Sequence, residues 1–567
     1  MRINYLHLKN GVQIPLPYKI TVFVGPNNAG KSQTLKDIRC LLDREQSQFK
    51  TPIILDDDNQ CFELPSLRDI KSSINHRDSR SNVDHYTIEG IASNLVGKNS
   101  FDVHRPQLER YDESEENKRR LFFQWFSRFY IALMDAETRL KLSSETSSFV
   151  PEEMSPENLI QSLFLHTESE DILRKAFKDA FNQDIKLDIS QLVRLCIRVG
   201  NEVSNIPTDA RIAHNVAKNI PKIDSQGDGY RSFAGIIIGL LICKRRIILL
   251  DEPEAFLHPA QAFFLGKWIG EHQNELGSQL LICTHSSNFL SGIMTGTQQL
   301  SIFRLRRERN NTTYTSLTPD VSNQLVGNPI LSSQRVIDGI FHKGVVVCEA
   351  DADRAIYQSV SSICLNSNRE ILFIHAHNKQ TLALVAGVLK QTGTPVAVIA
   401  DIDILRPHKD LEEVYEVLCG HPLEPELMER RKQLDEYIDS RKDEEVLQEL
   451  KNNIDEFSRQ LSNGEHTLDG AKGALSRIHG ETSIWSTIKR EGVESLEQEQ
   501  KTNALQLIDE LAKVGLFVVP VGELEGWIDL DVQRKNKWIV PALRTIYNRQ
   551  TPTALRDFVG KVLAFFK

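Results

Sequence analysis

The chain has 567 residues, of which 40% are hydrophobic and 26% charged, as is ordinary for a globular protein folded in water. The length predicts two or three domains, because a single hydrophobic core rarely serves more than about 250–300 residues. The formal net charge of −9 excludes a global basic field that would attract nucleic acid, but a local basic groove and a DNA partner remain compatible with it.

Three further features bear on compartment and membrane contact. The longest apolar run, Phe233 to Cys243, has roughly half the length of a bilayer-spanning helix. The N-terminus lacks the apolar core of a signal peptide, and no two of the eight cysteines form a C-x-x-C pair. We therefore expect a cytoplasmic protein with free thiols and no membrane partner.

Residues 1–320 predict an α/β domain in which short β-rich runs alternate with helices. The β-rich runs are residues 19–24, 246–250 and 279–283, together with a hairpin over 300–318 that turns at Asn310-Asn311. Between the first two runs, aromatic and aliphatic residues at helical spacing predict a helical insertion or dimerisation region over about 118–220. Residues 50–117 are polar and predict no clear element.

A phosphate-binding loop follows the first strand. The run VGPNNAGKS places Gly25, Gly30, Lys31 and Ser32 at the spacing G-x-x-x-x-G-K-[ST], between a strand and a helix. The glycines let the loop curl so that its N–H groups point at phosphate oxygens, and the start of the helix adds its positive dipole end. We expect Lys31 to reach the β- and γ-phosphates, Ser32 to bind Mg²⁺, and Asn28 to contact the nucleotide. The predicted cofactors are ATP and Mg²⁺.

Two later strand ends complete the predicted ATP site. The run IILLDEPE contains Asp251, which we expect in the Mg²⁺ shell, and Glu252, which we expect to orient and polarise the attacking water. Adjacent carboxylates at a strand end are costly unless a cation lies nearby, and ATP with Mg²⁺ supplies one. The third strand ends in Thr-His-Ser, where His285 is placed to contact the γ-phosphate.

These motifs, in this order, resemble ABC ATPases of the kind found in structural-maintenance and DNA-repair proteins. The resemblance implies that two ATPase domains dimerise and that a signature segment of one subunit covers the ATP of the other. The matching segment is QGDGYRSF (226–233), which retains Gly229 for close approach to phosphate but has Gly227 where a serine is usual. Gln107 is the candidate for the family's Q-loop glutamine, with a plain surface residue as the alternative.

A second α/β domain is predicted over 343–567, after a linker over 321–342. Its four β-rich runs alternate with helices and therefore predict a parallel sheet. These runs are residues 345–349, 371–376, 396–401 and 516–520. A charged, mostly helical insertion over about 411–511 interrupts the domain, either as a solvated surface element or as an arm for a partner or for DNA.

Acidic residues follow two of these strands. Glu349 ends the first, Asp353 lies one helical turn later, and Asp401 and Asp403 end the third. The carboxyl ends of parallel strands share one edge, where clustered carboxylates repel each other unless divalent cations such as Mg²⁺ or Mn²⁺ neutralise them. The pattern resembles a TOPRIM domain, in which a strand-end Glu precedes an Asp-x-Asp, although Ala350 replaces the usual glycine.

An ABC ATPase followed by a TOPRIM domain resembles the OLD (overcoming lysogenisation defect) family of nucleases. The resemblance implies DNA cleavage with two metal ions, with Glu349 as a metal ligand or base and the three aspartates as metal ligands. It also implies a late glutamate, for which Glu525 is the first candidate and Glu523 the second. A lysine that assists the transition state is a further implication, with Lys379 preferred over Lys561.

We therefore expect an ATP-regulated, metal-dependent DNA endonuclease that forms a dimer or higher homo-oligomer through its ATPase domains. The resemblance implies a role in bacterial anti-phage defence, in some systems beside a helicase (Gabija-type) or a reverse transcriptase with its msDNA (retron-type). Two alternatives stay open: a DNA-binding ATPase clamp that does not cut, and a topoisomerase-like transesterase, which needs a tyrosine nucleophile. The hairpin arginines are candidates for DNA contact, with a merely solvated hairpin as the alternative: Arg304, Arg306, Arg307 and Arg309.

Overall fold

A computed structural model describes most of the chain. The residues outside the description are 44–51, 55–60, 80–83, 310, 366–369, 407–408, 440–442, 464–469, 472–473, 476–483 and 531–534. The described residues form two compact units, Met1–Asn328 and Pro329–Lys567. The boundary between the units lies within the predicted linker 321–342, and this segment is largely helical.

The first unit contains both strands and helices. Its strands are β1 (Arg2–His7), β2 (Gln13–Pro15), β3 (Ile20–Val24), β4 (Cys61–Glu63), β5 (Asn75–Asp78), β6 (His85–Ile91), β7 (Lys98–His104), β8 (Ile131–Met134), β9 (Thr146–Ser147), β10 (Ile185–Asp188), β11 (Arg194–Val199), β12 (Ile247–Asp251), β13 (Gln279–Cys283), β14 (Leu300–Glu308) and β15 (Asn311–Leu317). Its helices are α1 (Lys31–Leu42), α2 (Leu67–Ser73), α3 (Arg105–Glu109), α4 (Glu115–Leu121), α5 (Ala136–Leu142), α6 (Leu159–Phe164), α7 (Thr167–Phe181), α8 (Ala210–Ala217), α9 (Asp228–Ile242), α10 (Pro259–Leu276), α11 (Ser287–Gly296) and α12 (Pro319–Gly327).

A six-stranded sheet lies at the centre of this unit, in the order β15-β14-β3-β13-β12-β8. All neighbouring strands are parallel except the β14–β15 pair. The inner strands β3 (ITVFV) and β13 (QLLIC) are buried along their whole length, which is why they read as continuous apolar runs. The predicted hairpin is confirmed as β14–β15, in which Glu308 pairs with Asn311, while its turn residue Asn310 lies outside the described residues.

The prediction of a helical region over 118–220 is wrong in part. Strand β8 forms an edge of the central sheet, and β9, β10 and β11 form a separate antiparallel sheet. A four-residue apolar run such as IALM in β8 has no period that separates a strand from a helix, so pairing with β12 decides its structure. The polar region 50–117, for which no element is predicted, contains the antiparallel sheet β5-β6-β7.

The second unit is built on a four-stranded parallel sheet in the order β17-β16-β18-β19. Its strands are β16 (Gly344–Cys348), β17 (Ile371–His375), β18 (Val396–Ala400) and β19 (Leu516–Val518). Its helices are α13 (Gln334–Asp338), α14 (Asp351–Ser359), α15 (Leu382–Gln391), α16 (Lys409–Cys419), α17 (Pro425–Asp439), α18 (Asp443–Ser462), α19 (Ile484–Glu491), α20 (Gln498–Lys513), α21 (Lys535–Tyr547) and α22 (Thr553–Ala564). The four predicted strands and their parallel arrangement are confirmed.

The described residues of the insertion over 411–511 are mostly helical, as predicted, and some of them belong to the core of the second unit. Helix α16 buries Leu411, Val414 and Tyr415, at the spacing of one helical face. Helix α17 lies against α20, where the side chain of Asn503 donates to the carbonyl oxygen of Arg430 at 3.0 Å. Across the described part of the chain, no helix combines the length and apolar character that crossing a membrane requires.

Candidate functional site

The phosphate-binding loop of the first unit connects β3 to α1. Gly25 (φ 134°), Asn28 (φ 62°) and Gly30 (φ 100°) all have left-handed backbone conformations, which curl the chain tightly. A Cβ atom at Gly25 would lie 2.3 Å from the carbonyl oxygen of Leu305, so a side chain has no room there. The sequence therefore folds into the compact loop that a phosphate cradle requires.

Lys31 lies inside this loop. It is 3% exposed, and its ammonium group donates to the carbonyl oxygens of Gly25 and Pro26 at 2.6 and 2.8 Å. Burial lowers the pKa of Lys31 to about 8, against the opposing effect of nearby acidic groups. A buried ammonium group at the start of a helix fits the multiply charged phosphates of ATP.

The acidic strand end and the Thr-His-Ser strand end meet beside the loop. Ser32 Oγ donates to Asp251 Oδ1 at 3.0 Å, which brings the two residues predicted to bind Mg²⁺ into contact. Glu252 has a left-handed backbone (φ 49°), and its Oε1 lies 3.2 Å from Nε2 of His285. Burial raises the pKa of Asp251, against the opposing effect of its hydrogen bond from Ser32.

Glu254, the second glutamate of DEPE, has a role that the sequence analysis missed. Its Oε1 accepts a hydrogen bond from the backbone N–H of His285 at 2.7 Å. The carboxyl group is buried, and burial raises its pKa. Glu254 thus fixes the Thr-His-Ser strand end to the acidic turn. The DEPE motif, which contains Glu254, is the sequence signal that could have identified this residue.

Arg139 on α5 is a second residue that the sequence analysis missed. It is fully buried, and its guanidinium group donates to the carbonyl oxygens of Asp251 and Glu252, the latter at 2.9 Å. It also donates to the carbonyl oxygen of Met134 at 3.0 Å and to Ser232 Oγ on α9 at 3.2 Å. Arg139 therefore joins the backbone of both acidic residues to the helix that carries the signature segment. No sequence pattern separates it from the other arginines of amphipathic helices.

Gly229 in the signature segment lies against another part of its own chain. A Cβ atom at Gly229 would lie 2.7 Å from the carbonyl oxygen of Phe256, in the segment after DEPE. Phe256 has a left-handed backbone (φ 72°) and an exposed side chain. The contact of Gly229 with the ATP of a second subunit stays a prediction, and Gln107 is an exposed residue of the short helix α3.

In the second unit, three predicted metal ligands come together at the carboxyl edge of the sheet. Glu349 follows β16, and Asp401 and Asp403 follow β18, the strand that pairs with β16. One carboxylate oxygen from each residue lies within 4.8 Å of the others. We call Glu349, Asp401 and Asp403 the acidic cluster.

Burial and mutual repulsion shape the charges of the acidic cluster. Burial, followed by repulsion from Asp401 and Asp403, raises the pKa of Glu349 to about 7. Burial alone would raise the pKa of Asp403 as well, but the ammonium groups of Lys489 and Lys379 outweigh it and hold this pKa below its ordinary value. Asp403 Oδ1 is buried and has no hydrogen-bond partner among the described residues.

Two lysines contact the acidic cluster. Lys379, the predicted catalytic lysine, has its Nζ 3.4 Å from Asp403 Oδ2. Lys489 lies closer, with its Nζ 3.0 Å from Asp403 Oδ2 and 3.7 Å from Asp401 Oδ2. Lys489 belongs to α19 in the insertion, 86 residues after Asp403. No motif spacing in the sequence could therefore predict that Lys489 contacts the acidic cluster.

The remaining predicted site residues of this unit lie around the acidic cluster without being part of it. Asp353 Oδ2 accepts from the backbone N–H of Ala350 at 2.9 Å and so caps the first turn of α14. Glu523 and Glu525 lie in the turn after β19, where the carbonyl oxygen of Gly522 accepts from the backbone N–H of Ile402 at 2.9 Å. This bond holds the turn against the Asp-x-Asp segment.

Two other sets of predicted basic residues lie elsewhere. Lys561 forms an exposed ion pair with Asp509, at 3.8 Å. In the β14–β15 hairpin, Arg304 is buried, whereas three arginines are exposed: Arg306, Arg307 and Arg309. Arg306 pairs with Glu308 at 3.1 Å, which reduces the positive charge that the hairpin offers to phosphate.

Comparison with protein families finds a match to the first unit. Residues 20–291, just under half of the chain, match the family described as AAA domain, putative AbiEii toxin, Type IV TA system. No curated protein matches the chain significantly. The matched segment includes the phosphate-binding loop, the DEPE turn and the Thr-His-Ser strand end.

Several solved structures are similar to part of this chain. The SmcHead bound to the C-winged helix domain of ScpA is 13% identical, with a TM-score of 0.33, and the match covers 56% of this chain and 98% of that one. The SMC head domain from Thermotoga maritima is 11% identical, with a TM-score of 0.29 and coverages of 56% and 100%. The RNase-L Inhibitor is 14% identical, with a TM-score of 0.26 and coverages of 57% and 45%. These TM-scores are too low to support an argument about function.

The family match and the geometry of the loop define the class of the first unit. It is an α/β P-loop ATPase domain with a mixed central sheet and helices. The family match implies ATP binding, and the loop, the DEPE turn and His285 lie together beside the ends of β3, β12 and β13.

Proposed function

We propose that this protein is an ATP-regulated, divalent-metal-dependent DNA endonuclease of the OLD type. The observation that carries the proposal is the acidic cluster, in which three carboxylates lie within 4.8 Å on the carboxyl edge of a parallel sheet. Three ionised carboxylates at this distance repel each other strongly, so a purely structural role would be costly. The TOPRIM-like order of these residues in the chain supports the same assignment.

The acidic cluster fits a divalent cation. Its donors are hard carboxylate oxygens, which suit Mg²⁺ or Mn²⁺, and Asp403 Oδ1 is buried with no hydrogen-bond partner among the described residues. The raised pKa of Glu349, about 7, reflects burial and the negative charge that a cation would offset. When bound, a divalent cation supplies Lewis-acid activation of a phosphodiester and of the water that attacks it.

The residues of the chain have separate roles in the proposed reaction. Asp401 and Asp403 hold the cation, and Glu349 acts as a further ligand or as the proton acceptor, for which a pKa near neutrality is suitable. Lys489 and Lys379 fix the orientation of Asp403 and place two ammonium groups where a phosphate would enter. Asp353 and Glu525 support the site from the adjoining helix and turn.

ATP is proposed to control this site through association of the ATPase units. Arg139 joins the acidic strand end to α9, so a change at the signature segment would be transmitted to Asp251 and Glu252.

The description of the matched family as a putative toxin of a Type IV TA system supports a role in bacterial defence. A helicase or a reverse transcriptase with its msDNA is the proposed kind of partner.

A DNA-binding ATPase clamp without nuclease activity is the second candidate. The observation that favours it is the pairing of Asp403 with two lysines, because internal ammonium groups already offset part of the negative charge. In this case the acidic cluster would hold α19 in place and bind no metal.

The deciding experiment measures cutting and metal binding on the same variants. Supercoiled plasmid is incubated with the full chain, with Mg²⁺ or Mn²⁺ and with or without ATP, beside Glu349→Gln and the matched control Glu370→Gln. Glu370 is an exposed glutamate of the same unit that pairs with Lys343 at 2.8 Å. We expect Glu349→Gln to reduce cutting and Mn²⁺ affinity by about 100-fold or more, and Glu370→Gln to change neither.

Each alternative result has a distinct meaning. Cutting that persists in Glu349→Gln would exclude the acidic cluster as the site of cleavage. Mn²⁺ binding of equal strength in both variants, together with no cutting, would favour the clamp. Cutting by the unmodified chain alone would support the nuclease proposal. Its dependence on ATP would show whether ATP activates or restrains cutting.

A further inference from the structure

A group of basic side chains surrounds one exposed carboxylate beside the acidic cluster. Asp351 Oδ1 lies 2.9 Å from Arg335 Nη1, 2.7 Å from Arg354 Nε and 3.3 Å from His375 Nδ1. The ring of His377 lies next to that of His375, with their centroids 4.7 Å apart. We call these five residues the Asp351 group.

The Asp351 group shares an edge of the sheet with the acidic cluster. Asp351 is the first residue of α14 and lies two residues after Glu349, a separation of at most about 7 Å. His375 ends β17, the strand that pairs with β16, and is the partner of Cys348 in that ladder. The group therefore lies on the side of the acidic cluster opposite to β18 and Lys489.

The balance of charge at the Asp351 group is positive. Two guanidinium groups face one carboxylate, and that carboxylate is 60% exposed. Burial lowers the pKa of His375, so its imidazole contributes hydrogen-bonding capacity without a permanent charge. The N-terminus of the nine-residue helix α14 adds a further preference for anions.

We propose that the Asp351 group binds the backbone phosphate of DNA next to the one that lies at the acidic cluster. This inference rests on the proposed nuclease function, since it assumes that a scissile phosphate occupies that cluster. Successive phosphates of one strand advance about 3.4 Å along the duplex axis, so a neighbour of the scissile phosphate falls within reach. Arginine forks bind phosphate oxygens in pairs, and Arg335 is half exposed and able to turn from Asp351 to phosphate.

Asp351 has a defined part in this arrangement. It holds both guanidinium groups near one point, and a DNA phosphate would compete with it for them. Removing its charge should therefore strengthen DNA binding, whereas removing the arginines should weaken it. Opposite signs from neighbouring residues would not arise from a general loss of folding.

The test measures DNA binding in a background that does not cut. A fluorescent DNA duplex is titrated with the full chain carrying Glu349→Gln, over a range of salt concentrations. The variants are Arg335→Gln with Arg354→Gln, Asp351→Asn, and a control with equal charge change, Arg459→Gln with Lys432→Gln. The two control residues are exposed and pair with acidic residues of the insertion helices.

We expect the Arg335→Gln, Arg354→Gln pair to weaken binding about 10-fold and to reduce the salt slope by about 1–2. Asp351→Asn is expected to tighten binding several-fold, and the control pair to leave affinity and slope unchanged. Thermal unfolding midpoints and ATP binding should be the same in all variants.

Three results would overturn the inference. They are unchanged affinity and slope in the double arginine variant, an equal loss in the control pair, and weaker binding in Asp351→Asn. Inorganic phosphate serves as a competitor: if millimolar phosphate abolishes the arginine effect without displacing the DNA, the group is a free-phosphate site and not part of the DNA path. Failure of the unmodified chain to cut plasmid would contradict the nuclease proposal, but the binding comparison among the variants could still be interpreted. A failure of the nuclease proposal is therefore distinguishable from a failure of the DNA-binding inference.

Discussion

The candidate ATP site of the first unit and the acidic cluster of the second both gather charged side chains at the carboxyl ends of parallel strands, but they do so differently. In the ATP site, the cation Lys31 belongs to the loop that follows the strand and is held by that loop's own carbonyl oxygens. In the acidic cluster, Lys489 lies closer to Asp403 than Lys379 does, and Lys489 comes from a helix of the insertion.

This difference predicts that the two sites respond differently to substitution. The ATP site depends on backbone conformation, because the left-handed residues Gly25 and Gly30 shape the cradle before any side chain contributes. The acidic cluster depends on side-chain charge, because Glu349, Asp401 and Asp403 repel each other unless cations balance them. Substitutions that change charge alone should therefore separate the two sites.

The largest effect is expected from removing the cation of the ATP site. Lys31→Met should reduce ATP affinity and hydrolysis by about 100- to 1000-fold, because the variant lacks the ammonium group that is expected to reach the phosphates, while the glycines still shape the loop. Fluorescent ATP binding and phosphate release measure this. Lys36→Met is the matched control, since Lys36 is an exposed residue of the same helix. A loss in Lys36→Met as large as that in Lys31→Met would show that general charge, and not position, matters.

A smaller effect is expected at Arg139, which supports the ATP site from behind. Arg139→Met should lower the free energy of unfolding by about 1–3 kcal/mol, because the buried carbonyl oxygen of Met134 and the part-buried carbonyl oxygens of Asp251 and Glu252 each lose a donor. Denaturant unfolding measures the change, and ATP turnover should fall with it because Glu252 loses its fixed position. Arg211→Met, at an arginine that is 87% exposed, is the control. Unchanged turnover in a folded Arg139→Met variant would contradict a positioning role.

In both sites, the residues of contiguous motifs and strand ends could be predicted from the sequence, and the residues brought in by tertiary packing could not. Contiguous motifs such as VGPNNAGKS and DEPE encode local geometry, so Lys31, Ser32 and Asp251 could be placed from spacing alone. The proximity of the three carboxylates could also be predicted, because parallel strands bring their carboxyl ends to one edge of the sheet. Arg139 and Lys489 could not be found, since their roles arise from the packing of α5 and α19 against distant segments. The same limit applies to β8, whose four apolar residues form a strand only because β12 offers an edge.

The last prediction concerns the balance of charge in the acidic cluster. Lys489→Met should lower the metal-free free energy of unfolding by about 1–2 kcal/mol, because Asp403 and Asp401 lose an ammonium group at 3.0 and 3.7 Å in a half-buried setting. Mn²⁺ should then stabilise this variant more than it stabilises the unmodified chain, because the added cation replaces the missing positive charge. Thermal unfolding with Mn²⁺ or with a chelator measures both effects.

Lys513→Met is the control for this comparison, since Lys513 forms an exposed ion pair with Glu510 on α20 of the same unit. It should change neither the metal-free stability nor the gain on adding Mn²⁺. If Mn²⁺ stabilised Lys489→Met no more than the unmodified chain, Lys489 and a metal ion would not share the acidic cluster. The contrast with the ATP site would then weaken, because the second unit would hold its carboxylates by packing and not by balanced charge.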